Sequence, residues 1–431
     1  MKIQINNGRL IDAASKLDAV QSLYIADGKI VGVNGAPAGF SAAPADFKAD
    51  KIIDATGKIV CPGLVDLSAR LREPGFEHKA TLESEMLAAV AGGVTSLVCP
   101  PDTDPVLDEP GLVEMLKRRA DALHQTRVYP LGALTLGLKG ERLSEMVELT
   151  EAGCVGFFNA DAPIINTNTL LRAMQYAATY GYTVWLRAED FHLSNSGIAH
   201  DGEVATRLGL GGIPVSAETV AIATITILMR ETGANVHLAR LSSRLGVDAV
   251  RAAKADGLPI TCDVGIHHLL LTDRDIGYFD SQYRFAPPLR SPTDRDALSR
   301  AVIDGTIDAI CSDHTPHDDD AKNVPFGEAL PGSTGLELLL PLTLKWAAAA
   351  NVPIPLALKK ISADPARLLV LPAGALKVGQ PADICIFDPR AFWAVTAQTL
   401  RSQGKNSPYL RRELEGRVSH TLIEGRLVFQ A

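Results

Sequence analysis

The chain has no closely spaced cysteines, no apolar run of membrane-spanning length, no surplus of positive charge and no glycine-rich phosphate loop. Each absence closes off a class of function. The cysteines at Cys61, Cys99, Cys154, Cys262, Cys311 and Cys385 mostly sit in short apolar runs. Buried, inert thiols are therefore expected, in place of disulfides or a cysteine metal site. A formal net charge of -8 argues against a nucleic-acid or anionic-membrane surface. The opening Met1-Lys2-Ile3-Gln4-Ile5-Asn6 lacks the apolar core of a signal peptide, so a cytoplasmic location is the expectation. No GxGxxG or Walker motif follows the first strand candidate, which lowers the nucleotide-binding reading.

What is present is an alternation. Apolar stretches such as Thr95-Ser96-Leu97-Val98-Cys99, Val128-Tyr129-Pro130-Leu131-Gly132, Gly153-Cys154-Val155-Gly156-Phe157, Thr183-Val184-Trp185-Leu186 and Ile307-Asp308-Ala309-Ile310-Cys311 read as strands. Between them, 81–91, 111–123, 168–180, 217–231 and 246–255 read as amphipathic helices. Continuously apolar strands separated by helices imply a parallel sheet covered on both faces. About eight such units favour a (β/α)8 barrel over an open doubly wound sheet, although pattern alone separates the two only modestly. The ends differ. Residues 1–57 alternate apolar and polar positions, with turns expected at Asn7-Gly8, Asp27-Gly28 and Asn34-Gly35 and a surface loop over 36–45. The tail from 374 to 431 shows similar hairpin chemistry at Glu415-Gly416-Arg417-Val418 and Glu424-Gly425-Arg426-Leu427-Val428. Neither end has enough strands to bury a core alone, so the two are expected to pair into one small β-sandwich beside a barrel spanning 58–373.

A run of motifs then carries a family resemblance. In order they are Cys61-Pro62-Gly63-Leu64-Val65-Asp66, Leu71-Arg72-Glu73-Pro74-Gly75, Ala91-Gly92-Gly93-Val94-Thr95, Gly132-Ala133-Leu134-Thr135, Ile260-Thr261-Cys262-Asp263-Val264, Pro287-Pro288-Leu289-Arg290 and Ser312-Asp313-His314-Thr315-Pro316-His317. The later Gly379-Gln380-Pro381-Ala382-Asp383-Ile384 fits as well. The chain resembles the bacterial dihydroorotases and their allantoinase and hydantoinase relatives over almost its full length. That resemblance implies an amidohydrolase-type barrel with a two-zinc site at its mouth, where the metals polarise a cyclic amide and lower the pKa of a bridging water.

The ligands for such a site are missing. Carried over position by position, the first histidine pair falls on Ser68 and Arg70, the bridging acid near Asn159, and two further histidines on Arg187 and Arg240. Only the last-strand aspartate remains, as Asp313. A guanidinium has no lone pair to donate and stays charged at any working pH, so zinc is expected to be absent. Among the substrate contacts that the resemblance implies, Arg72 and His317 are kept. The family's asparagines fall on Asp102 and Ala286, and Asp102 would repel a carboxylate held by Arg72.

Other histidines offer little. His267 and His268 would face opposite ways if extended. His314 and His317 beside Asp313 could hold one weak ion, and His237 reads as a packed core residue. Loss of two divalent cations would leave carboxylates unpaired. Arg70, Arg187 and Arg240 can replace that charge, so at least one of them is expected to pair with Asp313. An intact scaffold with its ligand set removed suggests a retained surface and no retained reaction. The resemblance extends to an inactive branch that accompanies the aspartate transcarbamoylase catalytic subunit in pyrimidine biosynthesis, which implies a structural role in a homo- or hetero-oligomer, with no nucleic acid and no membrane. The alternatives are a cyclic amidohydrolase with an unconventional metal site and a metabolite-binding regulator using the arginines at the mouth.

Overall fold

The computed structural model describes residues 1–33 and 46–431. The Asn34-Gly35 turn and the 36–45 loop lie outside the described residues.

Eight barrel strands follow one another around a parallel sheet. Leu64–Asp66, Val94–Cys99 and Arg127–Pro130 form one run, with Gly132–Ala133 continuing the third strand. Phe157–Phe158, Thr183–Leu186, Asn235–Leu238, Ile260–Gly265 and Ala309–Cys311 complete the series. Their burial is nearly continuous because helices cover them outside and side chains fill them inside. The eighth strand returns to the first through the His314 amide on the Ser68 carbonyl at 3.0 Å and the Arg70 amide on the His314 carbonyl at 2.9 Å. The third joins the second through the Leu131 amide on the Cys99 carbonyl at 2.9 Å.

The helices form close to where their apolar spacing and end signals place them. Leu82–Ala91 starts at Thr81, whose hydroxyl accepts from the Ser84 amide in a capping box. Thr167–Tyr180 is capped by Asn166 and stopped by Gly181 at a φ of 73°. Pro110–Leu123, Val215–Thr232 and Arg244–Ala255 complete the five expected. One strand is shorter than its apolar run. Gly153 leaves the preceding helix at a φ of 109°, and the strand proper begins at Phe157.

Both chain ends join one eight-stranded sheet. From one edge its order is Arg426–Gln430, Glu413–Ile423, Ile384–Ala394, Ile59–Pro62, Ile3–Asp12, Leu17–Ala26 and Lys29–Val33, with Lys51–Asp54 also paired to Ile3–Asp12. Ile59–Pro62 thus belongs to this sheet although the barrel begins at its next residues. A separate core of Ile3, Ile5, Leu23, Ile25, Val60, Ile384, Ile386 and Leu422 lies beneath it. Asp27-Gly28 and Glu424-Gly425 are two-residue hairpin turns with both residues at positive φ. Asn7-Gly8 and Gly416 are not turns: both lie inside long strands, where the register shifts as a bulge. All six cysteines are buried and free. Cys61 and Cys385, far apart in sequence, are register partners across an antiparallel pair.

Candidate functional site

The strand tips at the barrel mouth turn sharply inward. Arg240 and Asp313 occupy the left-handed region at φ 61° and 48°, and Arg72 does so at 64°. Such backbone is costly for residues other than glycine, so the surroundings must hold it in place. For Arg240 the holding group is Asp263, whose carboxylate accepts the Arg240 amide at 2.7 Å. The other oxygen of Asp263 meets His237 Nε2 at 3.0 Å. His237 also reaches the Thr261 hydroxyl at 2.8 Å and packs against Trp185, so it is a satisfied core residue.

The tips converge on a cluster of ion pairs. Arg70 donates from Nε to Asp102 at 2.7 Å, from Nη2 to Asp161 at 2.6 Å, and from Nη1 to the Thr315 hydroxyl at 3.1 Å. Arg240 donates from Nη1 to Asp313 at 2.9 Å and to the Ala286 carbonyl at 3.2 Å, and from Nη2 to Asp161. Arg187 reaches Asp161 at 3.2 Å and bonds Glu189. Asp161 is thus shared by three guanidinium groups. Burial opposes its ionisation, but the charges of Arg240, Arg70 and Arg187 hold it well below the usual carboxylate range. Burial pushes Asp313 up, against the pull of Arg240 and Arg70.

The expected pairing of Asp313 with an arginine is therefore present. The side chains of Arg70 and Arg240 are 6% and 2% exposed and do not reach out to solvent. Asp161 itself was not singled out in the sequence. It lies two residues beyond Asn159, and nothing in the linear pattern shows that three distant arginines meet there. Asn159 is instead a buried scaffold residue: its Oδ1 accepts from the Thr135 hydroxyl at 2.7 Å and its Nδ2 donates to the Ala162 carbonyl at 3.1 Å.

Asp102 is ion-paired to Arg70, and among the described residues no ion pair joins it to Arg72. Arg72 donates from Nε to the Pro316 carbonyl at 2.9 Å, and burial together with Arg70 pushes its pKa down to about 10. An open pocket of four cations does not form, since three of the four are ion-paired. Beside the cluster, between the tips of the fourth and fifth strands, lies a cavity of about 340 Å³ lined by Asp161, Trp185, Arg187, Phe191 and Ile225 among others. Neither Arg70 nor Arg240 lines it.

Comparison with known proteins places this arrangement. A family profile described as dihydro-orotase-like matches residues 57–245. A Pseudomonas aeruginosa protein named dihydroorotase-like protein is 46% identical over 100% of both chains. The chain belongs to the dihydroorotase-like family. A Geobacter protein named dihydroorotase is 40% identical, again over 100% of both chains. Among solved structures, an L-hydantoinase from Arthrobacter aurescens superposes with a TM-score of 0.87 at 24% identity, covering 99% of this chain and 96% of that one, and shares the amidohydrolase barrel fold.

The family implies zinc, and the residues here do not fit it. A zinc ligand must present a lone pair from nitrogen, sulfur or oxygen. Among the described residues no group of three or more His, Cys, Asp or Glu side chains could hold a metal ion. The remaining carboxylates point at guanidinium nitrogens.

The nearby histidines are engaged elsewhere. His314 Nδ1 accepts from the Gly335 amide at 3.0 Å, so the proton is on Nε2, which donates to the buried Glu85 at 2.6 Å. His317 Nε2 donates to the Pro331 carbonyl at 2.9 Å. Among the described residues these two and Asp313 do not make up a metal-holding group. His267 and His268 lie in the 3₁₀ turn Ile266–Leu269, and neither strand-like alternation nor a shared ligand position applies to them.

A strap from the C-terminal region also escaped the sequence reading. Asn406 donates from Nδ2 to the Thr315 and Gly332 carbonyls at 3.0 and 3.1 Å and accepts the His317 amide at 2.8 Å. Gln403 donates its amide to Glu85 at 2.9 Å. Among the described residues no helix is long and apolar enough to cross a membrane.

Proposed function

We propose that this chain is a catalytically inert member of the dihydroorotase-like family and serves as a structural subunit supporting aspartate transcarbamoylase. The observation that carries the reading is the arginine cluster at the barrel mouth. Hydrolysis of a ring amide near neutral pH needs an activated water and a group to stabilise the developing oxyanion. Here the groups that would have to supply both are ion-paired to one another. Asp313 and Asp161, which could otherwise act as bases, are neutralised by Arg240, Arg70 and Arg187. The scaffold around the cluster is complete, with barrel, end sheet and strap all in place. A scaffold kept without its reaction is best explained by what its surface holds.

The partnership is tested in the source cell. Aspartate transcarbamoylase is expected to co-purify with this chain and to lose its assembled form when the chain is deleted. Normal assembly and activity of the transcarbamoylase in the deletion strain would remove the structural reading. Relatives named dihydroorotase make turnover of dihydroorotate the alternative outcome for the purified chain.

A further inference from the structure

Away from the ion-paired cluster, two cations stand with no acid bonded to either among the described residues. They lie where the loop after the seventh barrel strand meets the loop after the eighth. Lys322 is 4% exposed, and among the described residues its ammonium donates only to backbone carbonyls, those of Ser281 at 3.1 Å and Arg284 at 3.3 Å. Ser281 returns a bond from its hydroxyl to the Lys322 carbonyl at 2.5 Å, which ties the two loops together. Arg284 is half-buried, and its Nε and Nη1 are buried with no hydrogen-bond partner among the described residues.

Asp280, the carboxylate whose charge reaches Lys322, accepts the Gln282 amide at 3.0 Å. Burial alone pushes the Arg284 pKa down, with no compensating carboxylate, and burial with Arg284 pushes Lys322 down to about 7 against the pull of Asp280. The positive field reaches further. Burial and then the charges of Arg72, Lys322 and Lys79 push His317 down to about 3.

A buried ammonium beside a half-buried guanidinium, with no acid bonded to either, is an unfavourable arrangement that an anion relieves. The Nε–H and Nη1 groups of a guanidinium lie on different edges, so each can donate singly to an oxyanion, and an ammonium alongside adds a compact point charge. We propose that Arg284 and Lys322 form an oxyanion site between these loops, occupied by a small carboxylate or a phosphate. The site uses neither the arginine cluster nor Asp313, and it stands whether or not the chain has a protein partner.

The test is thermal melting of the full chain in sodium phosphate and, separately, sodium malonate, at matched ionic strength. The wild type is expected to show a saturable rise in Tm with at least one of the two; which one identifies phosphate or carboxylate as the occupant. Arg284→Gln and Lys322→Gln are each expected to raise the half-saturating concentration by about tenfold or more. Arg426→Gln, on the distant edge strand of the end sheet, is expected to respond like the wild type. A second readout has the opposite sign. Without added anion, Arg284→Gln is expected to melt no lower than the wild type, because it removes an uncompensated charge, and the order inverts when the anion is present. No saturable shift with either anion, or an unchanged response in both variants, would overturn the site.

Discussion

Replacing Arg240 with methionine is the most searching perturbation of the barrel mouth. The side chains of Arg240 and Asp313 are both 2% exposed and meet at 2.9 Å. With the guanidinium gone, the one cation left paired with Asp313 among the described residues is Arg70, at 3.9 Å. Removing one member of a buried pair costs about 3–5 kcal/mol, because the other charge is left uncompensated. Arg240→Met is therefore expected to lower the free energy of unfolding by that amount, read from urea denaturation followed by circular dichroism. Asp313→Asn in the same background removes the stranded charge. Asparagine also tolerates the left-handed backbone that Asp313 adopts. The double variant is expected to recover much of the loss, giving a coupling energy of about 2–3 kcal/mol in the cycle. A loss below about 0.5 kcal/mol for Arg240→Met, as at an ordinary surface position, would refute the reasoning. So would two losses that simply add.

Other expectations concern the groups packed around the cluster. Burial pushes His267, His268 and His317 down to about 3, 4 and 3, so each stays neutral in the fold while it is protonated in the unfolded chain below about pH 6.5. The stability they contribute is complete above pH 6.5 and lost as pH falls toward 4; for His268 the loss at pH 5 is about 2 kcal/mol. Asp66 and Glu337, both pushed up to about 7 by burial, act in the opposite sense and lose stability as pH rises from about 4 to 7. His268→Gln should therefore flatten the acid limb of a stability–pH curve, and an unchanged limb would count against the assignment. Asn406→Ala should cost about 2–3 kcal/mol, since two carbonyls and one amide of the barrel mouth lose their partner together. Faster amide exchange at His317, whose N–H loses its acceptor, is the accompanying sign, and unchanged protection there would show that the strap does not hold the mouth.

Much of the architecture could be read in the residues because its causes are local. Apolar runs such as Thr183–Leu186, helix caps such as Thr81 and Asn166, and the Asp27-Gly28 and Glu424-Gly425 turns each specify their element within a few positions. Asn7-Gly8 misled because a positive φ serves a bulge as well as a turn, and only pairing with Leu17–Ala26 decides between them. The site was legible as a set of positions, and of its contacts only the pairing of Asp313 with an arginine could be read. Arg70, Arg187 and Arg240 stood out because they replaced lone-pair donors. Their common partner, Asp161, did not, because it lies 91 residues from Arg70 and 79 from Arg240 along the chain. The same holds for Asp102, whose choice of Arg70 over Arg72 depends on which way two strand tips turn. Asn406 and Gln403 lie still further off, beyond the end of the barrel.

Guanidinium groups stand where lone-pair donors would be needed, and on that ground we propose that the chain holds no zinc and hydrolyses no ring amide. Measuring the zinc content of the homogeneous chain together with its turnover of dihydroorotate, before and after zinc addition, tests this most directly. The prediction is sub-stoichiometric zinc and a rate equal to the protein-free control under both conditions. Stoichiometric zinc that survives dialysis, or saturable turnover, would contradict it.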